Sequence, residues 1–203
     1  MKTNIAATSI LFLLAILCQA PAFAQQGPWK NLFTGKNLKR WQVPEGNNCW
    51  LVKEGILMVQ SDEEQTGSIL WTKKDYTDFV VKADFKFGEG TVDSGIFLRD
   101  ESQQIQIGES GSLKRDMTAS PYIVGKMYPV EAEGVTALLK LEDWNTIEVK
   151  AVGKTYSVTL NGKQVMTYTS EEAPKTKGPI GIQLHPKRDM TIFYKDIKVA
   201  QIK

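Results

Sequence analysis

The side chains in this chain that could do chemistry are amides, an arginine and the single histidine, set at every second position in three short apolar runs. In residues 95–99, Ile96 and Leu98 fall on one side of an extended backbone, Phe97 and Arg99 on the other. In 104–107, Ile105 and Ile107 share the apolar side, leaving Gln104 and Gln106 on the polar one. In 180–185, Ile182 and Leu184 are apolar-side residues, and Gln183 and His185 oppose them. If the three polar sides belong to one sheet, Arg99, Gln104, Gln106, Gln183 and His185 make a patch of planar hydrogen-bonding groups. Such groups match sugar hydroxyls, each of which donates and accepts. Trp41, Trp50, Trp71 and Trp144 could offer an apolar ring face to a sugar. Trp71, at a strand end beside Thr72-Lys73-Lys74, is the preferred exposed one.

Other chemistries lack their residues. One histidine, His185, provides neither a His-rich metal cluster nor a His-Glu-x-x-His helix, so a zinc enzyme is not expected. Gly108-Glu109-Ser110-Gly111 lacks the spacing of a nucleophile elbow. Retaining glucanases of the sandwich type carry a Glu-x-Asp-x-Glu strand that sets two carboxylates about 5 Å apart. No Glu-x-Asp occurs in this chain.

The elements that would position the polar patch read as strands. Residues 49–53 and 56–60 flank Glu54-Gly55, a tight hairpin turn, and 68–72 is another short apolar run. From Asp78 onward, Phe79, Val81, Ala83, Phe85 and Phe87 alternate with Lys82, Asp84 and Lys86, the period of a half-buried antiparallel strand. Residues 144–152, 155–160 and 163–169 follow, with Asn161-Gly162 between the last two, a pair suited to a type I′ turn. Residues 180–185 and 190–199 close the chain as strands. No sustained helical period appears, which predicts an all-β antiparallel sandwich, a jelly roll of about 10 or more strands. Residues 108–143, with Pro121, Pro129 and a Ser-Gly-Ser stretch, read as one long irregular connection, either a binding loop or a surface excursion.

The first 24 residues carry Lys2, an apolar run from Ile10 to Leu17, and Ala22-Phe23-Ala24, the pattern of a signal peptide cut before Gln25. Cys18 follows the large Leu17, which argues against lipidation. The apolar run is shorter than the roughly 20 residues of a membrane-spanning helix. An exported protein, periplasmic or extracellular, with one domain over 25–203 is the expectation. Lys2 is the sole charged residue of the leader, so 24 basic and 23 acidic residues remain of the chain's 25 and 23. That balance favours neither nucleic acid nor an anionic membrane. Cys49 is the one cysteine left, so stability must come from packing.

Phe33-Thr-Gly-Lys-Asn-Leu38 with Trp41, Asp78-Phe79, Ser94-Gly-Ile-Phe-Leu-Arg99, Gln104-Ile-Gln-Ile107, Trp144-Asn145, Leu160-Asn-Gly162, Gly178-Pro-Ile-Gly-Ile-Gln183 with His185, and Asp196-Ile197 occur in that order. The series resembles the secreted 3-keto-disaccharide, or 3-keto-glycoside, hydrolase family, formerly a domain of unknown function, over about residues 32–198. The resemblance implies a concanavalin-A-like fold and cleavage of glycosides oxidised at carbon 3. A ketone there acidifies the C2 hydrogen, so the group at C1 can leave by elimination and water can add afterwards. Taken with the shared polar face, the series gives expected roles: His185 or Glu109 as proton acceptor, Arg99 and Gln106 as oxyanion or hydroxyl ligands, and Gln183 for positioning; the polar face and the strand-end position add Gln104 and Trp71 as sugar contacts. No cofactor is expected, with a divalent cation left open. Where the family reads Glu-x-Gln-Ile-x-Asp, this chain has Gln104-Ile-Gln-Ile-Gly-Glu109, and the family's Phe-Arg-Asn-Ile appears as Tyr194-Lys195-Asp196-Ile197. The amide at 104 gives weight to an alternative: a non-catalytic carbohydrate-binding module or an interaction domain of a glycan-degrading assembly.

Overall fold

The computed structural model describes residues 25–203; the proposed leader, including Cys18, lies outside the described residues. Fourteen strands and one short helix follow in chain order: β1 (Lys30–Asn31), β2 (Trp41–Gln42), β3 (Trp50–Lys53), β4 (Ile56–Gln60), β5 (Ser68–Thr72), β6 (Phe79–Gly90), β7 (Asp93–Leu98), β8 (Gln103–Gly108), β9 (Pro121–Ile123), α1 (Val135–Leu138), β10 (Asn145–Val152), β11 (Thr155–Leu160), β12 (Lys163–Thr169), β13 (Ile180–Leu184) and β14 (Met190–Gln201). The all-β sandwich expected from alternation is what forms. The eight-stranded sheet runs β12-β11-β10-β6-β14-β4-β3 with β1 on β14, and the six-stranded sheet runs β2-β5-β13-β7-β8-β9. Each of these pairings is antiparallel.

Turn chemistry fixes the hairpins. Glu54 and Gly55 both have positive φ (51° and 83°), as do Asn161 and Gly162 (49° and 84°), the requirement of a type I′ turn. The Asn161 side chain also anchors its turn: its Nδ2 donates to Leu138 O (2.8 Å), and its Oδ1 accepts from Thr146 N (2.8 Å).

The core lies between the sheets. Phe79, Val81, Ala83 and Phe85 from β6 are buried in one cluster with Ile96, Leu98, Ile105, Ile107, Ile180, Ile182 and Leu184 from the six-stranded sheet. Each large apolar side chain removed from water there contributes about 1.5–3 kcal/mol. A polar bridge spans the layers: Ser94 Oγ donates to Gln183 O (2.6 Å) and lies 3.0 Å from Tyr194 Oη, which donates to it in turn. Trp41 and Trp50 are core residues; their indole N–H groups donate to Leu32 O (3.0 Å) and Ser68 Oγ (2.8 Å). The Trp144 ring is covered by Lys195 Nζ, 4.1 Å from its centroid. These three are not open platforms for a sugar.

Arg99 does not continue the alternation of β7. Its φ of 72° turns the chain after Leu98, and the side chain is buried at 1% exposure. Nε donates to Thr77 O (2.7 Å) and Nη1 to Gly153 O (2.9 Å), with Nη2 3.4 Å from Asp78 Oδ1. The guanidinium thereby ties the end of β7 to the start of β6 and to the β10–β11 turn. The expectation that Arg99 faces a ligand is corrected on this ground: its donors are spent on backbone carbonyls inside the fold.

Candidate functional site

The open face of the six-stranded sheet is built by the residues between the core positions. Register places Trp71, Gly181, Phe97, Gln104 and Tyr122 in one cross-strand row, and pairs Ile69 with Gln183 and Gly95 with Gln106 two residues further on. A third row holds Asp93 opposite Gly108. Two glycines keep this face low. A Cβ on Gly95 would lie 2.1 Å from Gln104 Nε2, and one on Gly181 would lie 2.6 Å from the Trp71 ring. The polar side chains can therefore lie flat across the strands.

Above the second and third rows opens a cleft of about 580 Å³, lined by Asp93, Gln104, Gln106, Gln183 and His185, with Tyr122, Tyr128 and Arg188 on its walls. Volumes of this order suit a small organic ligand. The structure brings four of the expected residues together here: Gln104, Gln106, Gln183 and His185. Gln104 Nε2 donates to Gln183 Oε1 (2.6 Å), so the amide at the family's acid position is engaged with its neighbour. Three other expected residues are placed elsewhere. Arg99 is buried as described. Glu109 does not line the cleft, and its Oε1 is 3.9 Å from Arg188 Nη2. Trp71 shares the sheet face but lies outside the lining, half-buried against Phe97 with ring centroids 5.6 Å apart. The aromatic wall of the cleft is instead the edge-to-face pair Tyr122 and Tyr128, 5.4 Å apart. Burial pushes the Tyr128 phenol up to about 12, so it stays a neutral donor across the physiological range.

Asp93 is the centre of the charge arrangement. It is 2% exposed, and its Oδ1 accepts from Gln106 Nε2 (2.8 Å). Its Oδ2 makes no hydrogen bond and faces Arg188 Nε at 3.4 Å and His185 Nε2 at 3.8 Å. Arg188 Nη2 is buried and likewise without a hydrogen-bond partner. Orphaned charged atoms of this kind are costly unless a bound molecule completes them. The His185 tautomer follows from its neighbour: Nδ1 lies 2.7 Å from Pro186 O, and a carbonyl can only accept, so Nδ1 carries the proton. In the tautomer protonated at Nδ1 alone, Nε2 is bare and lies 3.8 Å from Asp93 Oδ2, a base whose conjugate acid would meet a carboxylate. Among the described residues no group of three or more His, Cys, Asp or Glu side chains converges, and the permanently positive group facing Asp93 is Arg188.

Sequence reasoning missed Asp93, Arg188, Tyr122 and Tyr128. Asp93 was within reach, since positions 93, 95 and 97 continue the same period of two by one more step. Arg188 follows His185 in a turn, where no period operates. The two tyrosines come from residues 108–143, expected to be one irregular connection but in fact interrupted by β9, which carries Tyr122, and by α1; the same stretch supplies Ser110, Gly111, Ser112 and Lys114 to the cleft wall.

A profile of the 3-keto-alpha-glucoside-1,2-lyase-like domain matches residues 28–200. The chain belongs to this family. Solved structures share the fold of this 3-keto-alpha-glucoside-1,2-lyase-like domain. A candidate glycosyl hydrolase from Parabacteroides distasonis superposes with a TM-score of 0.66 at 18% identity, covering 86% of this chain and 94% of its own. A second from the same organism gives 0.63 at 23% identity, covering 86% and 100%. A Bacillus subtilis protein with a galectin-like fold gives 0.57 at 13% identity, covering 89% and 99%. No curated protein matches the sequence. Family membership ties the domain to glycan chemistry, and the cleft is where its polar and aromatic groups meet.

Proposed function

We propose that this is an exported single-domain enzyme that cleaves glycosides carrying a ketone at C3, by elimination across C1 and C2 followed by addition of water. The observation that carries the reading is the cleft constellation: Asp93 Oδ2, which accepts no hydrogen bond, lies between Arg188 Nε (3.4 Å) and His185 Nε2 (3.8 Å). Export rests on the Lys2, 10–17 and Ala22-Phe23-Ala24 pattern.

His185 Nε2 takes the C2 proton, and the electron pair moves into the C2–C3 bond and onto the ketone oxygen as an enolate. The Arg188 guanidinium, which lines the cleft, stabilises that oxygen, while Asp93 stabilises the imidazolium. Collapse of the enolate expels the C1 oxygen, which leaves with a proton, and the product is a 1,2-unsaturated 3-ketone. Water then adds across that double bond. Gln104, Gln106 and Gln183 hold ring hydroxyls, and Tyr122 and Tyr128 offer the apolar face of the sugar a surface.

The test is to incubate the purified protein with a 3-keto-disaccharide in D₂O. Ultraviolet absorbance of the conjugated enone should rise, and the hydrated product should carry deuterium at C2. Product without deuterium at C2 would indicate direct hydrolysis. Binding without product would favour a sugar-binding module, the reading to which Gln104 at the acid position points.

A further inference from the structure

The charges around the cleft are unequal. Asp93 is the sole carboxylate in its lining, against Lys114, Lys187 and Arg188. The whole chain, by contrast, has a formal charge of only +2, with 25 basic and 23 acidic residues. Arg188 is committed to Asp93, but the two lysines are not committed to anything. Among the described residues neither Lys114 nor Lys187 forms an ion pair, whereas their loop neighbours Arg115 and Lys126 are engaged, with Glu131 and with Glu171 and Glu172. The lysines come from two separate loops, Lys114 after β8 and Lys187 between β13 and β14. Each has a backbone in the left-handed region, with φ of 55° and 59°. Lysine is not a residue that relieves such a backbone; glycine or asparagine would. Two cations held without partners at strained positions, both lining one cleft, form a receptor for negative charge.

We infer that the cleft selects anionic glycosides: Lys114 and Lys187 receive a carboxylate or sulfate ester on the sugar substrate, while Asp93, His185 and Arg188 engage the ring that reacts. This rests on the cleft being the substrate site proposed above, but not on its elimination chemistry. Charge-assisted contacts of lysine with an oxyanion are stronger than neutral ones and weaken with salt.

The inference is tested by calorimetry with the unoxidised α,α-linked glucose disaccharide trehalose, its 6-sulfate and its 6-carboxylate. The two rings of trehalose are equivalent, so a single anionic group can approach either end of the cleft. At low ionic strength at least one anionic sugar should bind about tenfold tighter than trehalose itself. The preference should shrink in high salt, fall to within about twofold in the Lys114→Gln/Lys187→Gln variant, and return in Lys114→Arg/Lys187→Arg. Which anion gains shows whether the group is a planar carboxylate or a tetrahedral sulfate. Equal binding of all three sugars, binding of none, or a preference that survives the glutamine variant would overturn it. A lysine-dependent preference with no turnover of the 3-keto forms would instead remove the elimination reading and leave this one standing.

Discussion

At the scale of single residues, the site works through unequal use of its polar atoms. Gln106 spends its amide on Asp93 Oδ1 and Gln104 spends its own on Gln183, so those groups shape the floor. Among the charged and ionisable groups, Asp93 Oδ2, Arg188 Nη2 and His185 Nε2 make no hydrogen bond, and these are the groups that the proposed elimination uses. His185→Gln keeps a polar group but removes the base, and turnover of a 3-keto-glycoside should fall about 10²–10⁴-fold with little change in KM. Arg188→Met should lower kcat about 10²–10³-fold, the usual loss on removing a donor to a developing oxyanion. Glu109 is the useful contrast. Its 3.9 Å approach to Arg188 comes from a side chain 35% exposed, and such an ion pair contributes up to about 1 kcal/mol. Glu109→Gln should therefore stay within about fivefold of wild type in steady-state enone formation. A loss as large as that of His185→Gln would give Glu109 the proton-transfer role instead.

At the scale of elements, period two made most of the architecture legible. The alternation from Phe79 to Phe87, the Asn161-Gly162 turn and the three runs bearing Gln104, Gln106, Gln183 and His185 all follow from side chains projecting to opposite faces of a strand. Legibility ended where the strands ended. Arg99 sits one residue past β7, where a positive φ cancels the alternation that had put it on the polar face. Arg188 and Tyr128 reach the cleft from loops, and Tyr122 from β9, a three-residue edge strand too short to show a period; the stretch around them is folded by contacts such as Met117 N to Gly108 O (3.0 Å) and Ala132 N to Ser120 Oγ (3.0 Å). The Arg99 correction carries its own prediction. Arg99→Met deletes donors to Thr77 O and Gly153 O, leaves those carbonyls without their partner, and unties β7 from the β10–β11 turn. Loss of a buried charged hydrogen-bonding group of this type costs about 3–5 kcal/mol. Urea denaturation should show that loss as a lower midpoint with an unchanged slope. A lysine-like tolerance of the substitution, under about 1 kcal/mol, would mean that Arg99 is dispensable to the fold.

At the scale of the whole molecule, the sandwich is held without a disulfide among the described residues, Cys49 being free and buried. Its stability therefore depends on core packing and on the protonation of groups enclosed by it. Three tyrosines matter most. Burial pushes Tyr128 and Tyr156 up to about 12, and Tyr194 higher still. A phenol whose pKa is raised by folding binds its proton more tightly in the native state than in the unfolded chain, where it titrates near 10. The associated stability is fully present below about pH 10 and is lost as pH rises from there through the folded values. Tyr156 is the clearest case, since its ring is fully buried and its hydroxyl, though near the Arg99 guanidinium, meets no partner in hydrogen-bond geometry. Its rise to about 12 makes the loss on the order of a few kcal/mol across the alkaline range. Thermal melts should thus be flat near neutrality and decline steeply above pH 10. Tyr156→Phe removes both the titration and an unpaired buried hydroxyl. It should raise stability at pH 7 by about 1 kcal/mol and flatten part of the alkaline decline. An alkaline limb identical in Tyr156→Phe and wild type would assign the loss to Tyr128 and Tyr194, and a variant less stable than wild type at pH 7 would show that the hydroxyl has a partner worth keeping.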